Sequence, residues 1–270
     1  MRRVAVGVIG TGFWGENQVR VFRQSRMADL VAICDADKKR AKEIGIKYGV
    51  PWFSDLSKFL RVPNLEAVTV CTPSFIERFN PGVRAVKKML MQRVVGDVII
   101  ATGRRVARWP IRIGDVGVVK DTAIHDIDAM RYLLEEEVSA VFAQTGSLRT
   151  HSYEDYAEIM LRFDEGTTGF LDANWLTPRK VRTLIITGSE ATISLDYITQ
   201  EITLESSQRL VKPFAPWAEP LKLELENFIT TIVRDREEAP SGEDALKAIR
   251  VCDAALRSGK SKTLVTLNTS

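Results

Sequence analysis

Three residue groups in this chain have types and spacings that could do chemistry. The first is Gly10-Thr11-Gly12-Phe13-Trp14-Gly15, which follows a β-rich run from Val4 to Ile9 and opens a helical pattern through Phe22. A strand before and a helix after is the context that a G-x-G-x-x-G phosphate loop requires. Gly10 would make the tight turn, Gly12 would let the backbone approach a pyrophosphate, and Gly15 would let the helix lie close to the strand. The helix start would then offer free N–H groups and a partial positive charge to the phosphates. The second is Asp35, which ends "LVAICD" and stands 20 residues after Gly15. A carboxylate there can accept the adenosine ribose hydroxyls and repels a 2′-phosphate, which favours NAD; Lys38, Lys39 and Arg40 keep NADP open. As a turn or cap residue before "KKRAKEIGIKYG", Asp35 is less well placed than Asp37. The third is Asp121 with His125, four residues apart and so on one face of a helical turn. Imidazole titrates near neutral pH and suits proton transfer. The plainer reading is a helix-cap histidine satisfied by Asp121 or Asp128.

The elements that must position these groups follow from periodicity. "LVAICDAD" reads as the second strand and "NLEAVTVCTP" as the third, closed at the crevice end by Thr72 and Pro73, which completes β-α-β-α-β. "GDVIIATGRRVARW" reads as a long strand opening a second domain, and "VVKDTAIHDIDAMRYLL" is apolar at helical spacing from Ile124 to Leu134. "SAVFAQTGSL", "DYAEIMLRF", "TTGFLDANWL", "VRTLIITGS" and "ATISLD" suggest an antiparallel meander. Two helices, "EPLKLELENFITTIVRDRE" and "GEDALKAIRVCDAALRSGK", and a short strand "TLVTL" end the chain. The expected fold class is α/β plus α+β: a truncated, doubly wound Rossmann domain over 1–95 and a domain with an open, mostly antiparallel sheet over 96–270.

Composition narrows the function classes. The net charge of +3 and the absence of a dense basic run argue against nucleic-acid binding. Cys34, Cys71 and Cys252 are few and scattered, which fits a reducing compartment and no metal site. The start of the chain reads directly into a strand, with no signal peptide, and no apolar run reaches the ~18 residues of a membrane helix. The expectation is a soluble cytoplasmic protein.

"VIGTGFWG", "VAICDAD", "VTVCTPS", "IERFNPGVRAVKK" and above all "GDVGVVKDTAIHDIDAMRYLL" resemble the Gfo/Idh/MocA oxidoreductases, the group of glucose-fructose oxidoreductase and inositol dehydrogenase. With "FLDANWLTPRKVRTLIITGSEATISLD", the likeness is to members acting on UDP-N-acetylglucosamine as 3-dehydrogenases. The resemblance implies that His125 accepts the proton of a sugar hydroxyl while hydride passes to the nicotinamide of NAD, and that Asp121 orients or supports it. It implies substrate-side roles for Arg78, Asn80 and Trp175, and assembly as a homodimer or homotetramer through the second-domain sheet. Arg104, Arg105, Arg108 and Arg112 read either as a basic string meeting a diphosphate or as a solvated strand face.

The chain departs from that family at one place. In the family the "CTPS" strand is followed by a helix, a strand ending in Glu-Lys-Pro, another helix and a further strand before the "ERFNP" helix begins. Here roughly forty to fifty residues, about two β-α units, are absent at a seam over 74–76, and the family's usual catalytic lysine goes with them. Lys120 is a tempting substitute, but it adjoins Asp121 and points ~100° away around a helix, an objection that weakens if that turn is not helical; a solvated or substrate-phosphate-facing lysine is the plainer reading. With strand order 3-2-1-4-5-6, the loss is expected to remove one crevice wall and bare an edge of strand 1, "VAVGVIG". The deletion is natural, engineered, or a segment present in the molecule but closed up in the sequence. The expected function is hydride transfer between NAD and C3 of a UDP-amino sugar, impaired by the seam. The alternatives are a polyol dehydrogenase of the inositol type and a non-catalytic cofactor-binding or assembly protein.

Overall fold

The computed structural model describes residues 2–71, 75–110, 116–149, 152–236 and 240–267. Thr72, Pro73 and the seam residue Ser74 lie outside the described residues, as does Arg112. The chain divides into two compact units, Met1–Ser74 with Glu219–Glu238, and Phe75–Ala218 with Ala239–Ser270. This differs from the expected boundary between 95 and 96.

In the first unit, β1 (Val4–Ile9) precedes α1 (Phe13–Gln24), β2 (Ala28–Cys34), α2 (Lys38–Tyr48), β3 (Trp52–Phe53), the single turn α3 (Leu56–Phe59) and β4 (Ala67–Val70). Val4, Val6 and Val8 are fully buried, each contributing about 1.5–3 kcal/mol by leaving water. The four strands are parallel in the order β3-β2-β1-β4. Two expectations are corrected here. "NLEAVTVCTP" supplies the fourth strand of the order and not the third, because Trp52–Phe53 pairs with Ile33 and Cys34. Two residues are too few to show alternation, so periodicity passed over them. In consequence β1 is no edge: β2 and β4 flank it, and both strands that border the switch point are present. The open edge is β4, which is only half-buried and ends in an exposed Val70.

In the second unit, a 3₁₀ turn (Ile76–Phe79) leads into α4 (Pro81–Met91), with the Asn80 side chain capping it and Pro81 at its first turn. Next come β5 (Val98–Arg108), a π-helical turn (Val119–Ala123) and α5 (Ile124–Leu134). The strands β6 (Val138–Gly146), β7 (Tyr156–Phe163), β8 (Thr168–Asn174), β9 (Leu176–Gly188), β10 (Ala191–Asp196), β11 (Ile202–Ser206) and β12 (Leu210–Val211) follow. The apolar face of α4 (Val83, Val86) is buried in this unit's core, which is why 75–95 belongs here. The chain then returns to the first unit as α6 (Pro220–Arg234), whose buried Leu221, Leu225 and Ile229 lie along the side that packs on α1. It ends in the second unit with α7 (Gly242–Ser261), opened by a Ser241–Asp244 capping box, and β13 (Val265–Thr266).

The nine-stranded sheet runs β12-β11-β10-β9-β5-β8-β7-β6-β13. The expected meander is therefore interrupted: β5 inserts between β8 and β9, parallel to the first and antiparallel to the second. One face is covered by α5 and α7 over the main core. On the other face register aligns Phe142, Met160, Phe170, Thr102 and Ile185 in one row across five strands. Phe142, Phe170 and Ile185 are each about two-fifths exposed, an apolar stripe that is open in the single chain. Among the described residues no helix is long and apolar enough to cross a membrane.

Candidate active site

In the first unit the ends of three strands converge on the glycine loop. The Gly10 N–H donates to the Cys34 carbonyl at 2.8 Å, and the Cys71 N–H donates to Ile9 at 2.9 Å. Gly10 has φ +84°, the left-handed region that glycine enters without strain. At Gly15 a Cβ would sit 1.8 Å from the Gly10 carbonyl oxygen, so only glycine lets α1 approach the strand so closely. The N-cap of α1, Gly12, offers no side-chain bond to the first-turn N–H groups. Thr11 is buried, whereas Phe13 and Trp14 are exposed beside the loop. The orphan helix donors above a glycine cradle fit the phosphates of a dinucleotide.

Asp35 is buried at the tip of β2 and is tied to the same loop. Its Oδ2 accepts from the Thr11 N–H at 2.7 Å and from the Thr11 hydroxyl at 3.0 Å; its Oδ1 accepts from the Asp37 N–H at 2.9 Å. Burial pushes its carboxyl pKa up, but these donors and the nearby Arg40 guanidinium outweigh burial, and the net shift is downward. The carboxylate stays ionised and acceptor-rich, as a ribose diol requires. Asp37 is the cap of α2, accepting from Lys39 and Arg40 N–H groups. Thr72 and Pro73 cannot be placed, since they lie outside the described residues.

In the second unit Asp121 sits in the π turn and His125 at the start of α5. A π turn inside a helix costs backbone regularity and recurs at functional sites. Here Trp175 braces it. The buried indole Nε1–H donates to Thr122 Oγ1 at 2.9 Å, and the Thr122 hydroxyl donates to Asp121 Oδ2 at 3.2 Å. The Trp109 ring meets Trp175 edge-on at 5.3 Å. The structure thus gives Trp175, 3% exposed, a bracing position behind Asp121. Lys120 forms an ion pair with Asp253 at 2.7 Å, and that hydrogen-bonded carboxylate raises its pKa, the wrong direction for a base at neutral pH.

Arg78 and Asn80 are framework residues in this unit. The Arg78 guanidinium is gripped by both Asp128 oxygens at 2.8 and 2.7 Å and by Asp244 at 3.0 Å, over the Tyr132 ring. Asn80 is fully buried, donating to Glu77 and to the Tyr197 carbonyl while its oxygen caps α4. Their donors are engaged inside the fold, which counts against substrate contact. The arginine string splits likewise. Arg104 pairs with Asp172 and Arg108 is exposed, while Arg105 is buried between Asp126 and Glu77 with its guanidinium over Tyr197. Burial pushes the Glu77 carboxyl up, but the charges of Arg105, Arg182 and His125 pull it below its ordinary value. The Arg105 network and Thr122 escaped the sequence reading. A lone Glu, Arg or Thr carries no spacing signal until folding brings its partners to it. Among the described residues no group of three His, Cys, Asp or Glu side chains is gathered for a metal ion.

Comparison with known proteins places this geometry. Residues 4–100 match the oxidoreductase family with an NAD-binding Rossmann fold, and residues 83–194 match the GFO/IDH/MocA C-terminal domain. The inositol 2-dehydrogenase of Rubrobacter xylanophilus is 24% identical, over 98% of this chain and 94% of its own. That alignment runs over 329 positions against 270 residues here, so at least 59 residues of the relative have no counterpart in this chain. A levoglucosan dehydrogenase solved with NADH and levoglucosan superposes with TM-score 0.90 at 19% identity, covering 99% of this chain and 100% of the other. The UDP-N-acetylglucosamine 3-dehydrogenase of Acidithiobacillus ferrooxidans superposes with TM-score 0.86 at 18% identity, covering 97% and 99%. These two likenesses speak to the fold alone. On its two matched domains, this chain belongs to the Gfo/Idh/MocA family of NAD-binding oxidoreductases.

Proposed function

We propose that the chain is an NAD-dependent dehydrogenase acting on a hydroxyl of a sugar nucleotide, with C3 of UDP-N-acetylglucosamine as the target. The observation that carries the reading is the braced π turn, which fixes Asp121 through Thr122 and Trp175 one turn before His125. His125 accepts the hydroxyl proton as general base, and Asp121 supports the imidazolium that results. The glycine loop and the α1 N-terminus hold the pyrophosphate, and Asp35 takes the ribose hydroxyls. NAD, when bound, supplies the hydride acceptor. Lys120 is paired with Asp253 and so does not stand in for the family's lysine, and turnover is expected to be slow.

A polyol reading has its own support, because a 24% identical relative over nearly the full chain is an inositol 2-dehydrogenase. Initial rates of NADH formation with UDP-N-acetylglucosamine and with myo-inositol, each with NAD⁺, decide between them. Turnover of the nucleotide sugar alone supports the proposal, and turnover of myo-inositol alone sinks it. Thermal protection by NADH with no turnover of either would make the chain a cofactor-binding assembly protein.

The proposal includes a homodimer or homotetramer formed over the apolar stripe of Phe142, Phe170 and Ile185. Phe170→Asp should shift the sedimentation coefficient toward the monomer without changing NADH binding. A wild type that sediments as a monomer would sink this part.

A further inference from the structure

Resting on the sugar-nucleotide reading, the geometry points to an anion subsite made by Lys180 and Arg182 on β9, taking the diphosphate of the substrate beside the Asp121–His125 turn. β9 runs antiparallel to β5 with Val181 opposite Val106, but the next aligned pair is Leu176 with Arg108. Residues 177–180 of β9 therefore face a single residue of β5, Ala107. So large a bulge lifts the strand from its ladder and re-aims its side chains, a device common beside active sites. Just past it, the face that buries Leu184 and Ile186 ends in Arg182, whose ladder partner is Arg105.

The three cations differ in how they are satisfied. Arg105 is neutralised by Asp126 and Glu77. Among the described residues Arg182 reaches only Glu77, at 3.8 Å, and that carboxylate already serves Arg105 at 2.9 Å and Asn80 at 3.1 Å. Lys180 makes no ion pair within 4.0 Å among the described residues and remains open to solvent. Burial, and then repulsion from Arg105, pushes the Arg182 pKa down to about 10; burial with repulsion from Arg182 and Arg105 lowers that of Lys180. Arg182 stays charged at neutral pH, so a half-buried cation with one distant, shared carboxylate stands two residues from the exposed Lys180. Arg105, the ladder partner of Arg182, donates to Asp126, the residue after His125 in α5, which ties the pair to that turn. Positions 180 and 182 lie about 6.6 Å apart along an extended strand. From that spacing the two long side chains can each reach one of two adjacent phosphoryl groups.

The test titrates UDP, with no sugar attached, into the NADH-bound protein by calorimetry, and repeats it with glucuronate. Lys180→Gln, which removes no ion pair of the fold, and Lys180→Gln/Arg182→Gln should weaken UDP binding about 10- to 100-fold in the double variant. NADH affinity should be unchanged, and Lys180→Arg should restore UDP binding. Wild-type binding of UDP-N-acetylglucosamine with no loss in these variants overturns the subsite and leaves the proposed function standing. Glucuronate binding that the variants lose, with UDP binding untouched, overturns the diphosphate assignment. Failure of the wild type to bind any uridine nucleotide, with myo-inositol turned over, removes the sugar-nucleotide reading and the subsite with it.

Discussion

Arg105→Leu should lower the stability of the second unit by about 3–5 kcal/mol, the usual cost of removing one partner from a buried charge network. Arg105 is 3% exposed and holds Asp126 and Glu77, which are 1% and 4% exposed. The leucine would leave two carboxylates buried without their main cation. At roughly 2–4 °C per kcal/mol for a unit of this size, the melting temperature should fall by about 6–20 °C. The pH dependence gives a second readout. In the wild type, Glu77 has a folded pKa below its ordinary value, so its stabilising contribution is present above the unfolded pKa and is lost as pH falls through the folded one. In the variant, burial acts on Glu77 with less opposing charge and its folded pKa rises. The loss of stability should then be smaller near pH ~5 than near pH ~8. A drop under about 1 kcal/mol, equal at both pH values, would show that water compensates the pair and that the network is not what holds β5 to α5.

His125→Ala should reduce kcat by about 10²- to 10⁴-fold, the range of a positioned general base, with NADH affinity intact because the glycine loop and Asp35 lie in the other unit. The acid limb of the kcat/KM profile, which reports a base that must be unprotonated, should disappear in His125→Ala. Thr122→Val should leave that limb in place and lower kcat less, since it only loosens the brace between Trp175 and Asp121. If His125→Ala keeps wild-type kcat, the proton acceptor lies elsewhere. Lys120 is a poor heir, since Asp253 raises its pKa.

The cofactor half was legible in the sequence to a depth the catalytic half was not. Gly10, Gly12, Gly15 and Asp35 act through local backbone geometry, so their spacing alone carried the reading, and the structure shows Gly15 against the Gly10 carbonyl and Asp35 on the Thr11 N–H. The helix from Ile124 to Leu134 was equally plain, because its apolar residues repeat at 3.6. The substrate side was harder. Arg78 and Asn80 read as pocket residues, yet Asp128, 50 positions away, and the Tyr197 carbonyl, 117 positions away, hold them inside the fold.

What the sequence determined by itself is whatever depends on near neighbours: the glycine loop, the Asp35 tip, the long strand Val98–Arg108 and the helix that carries His125. Tertiary structure decided which strand lies beside which. It put the two-residue β3 at one edge of the first sheet and β4 against β1. It set β5 between β8 and β9 and so made Arg105 the ladder partner of Arg182. It also brought Trp175 to Thr122 across 53 positions. Pairings of this kind are selected by burial and charge balance summed over the whole core. A short window of sequence does not contain that sum, and so the brace behind Asp121 and the sharing of Glu77 between Arg105 and Arg182 came into view only with the fold.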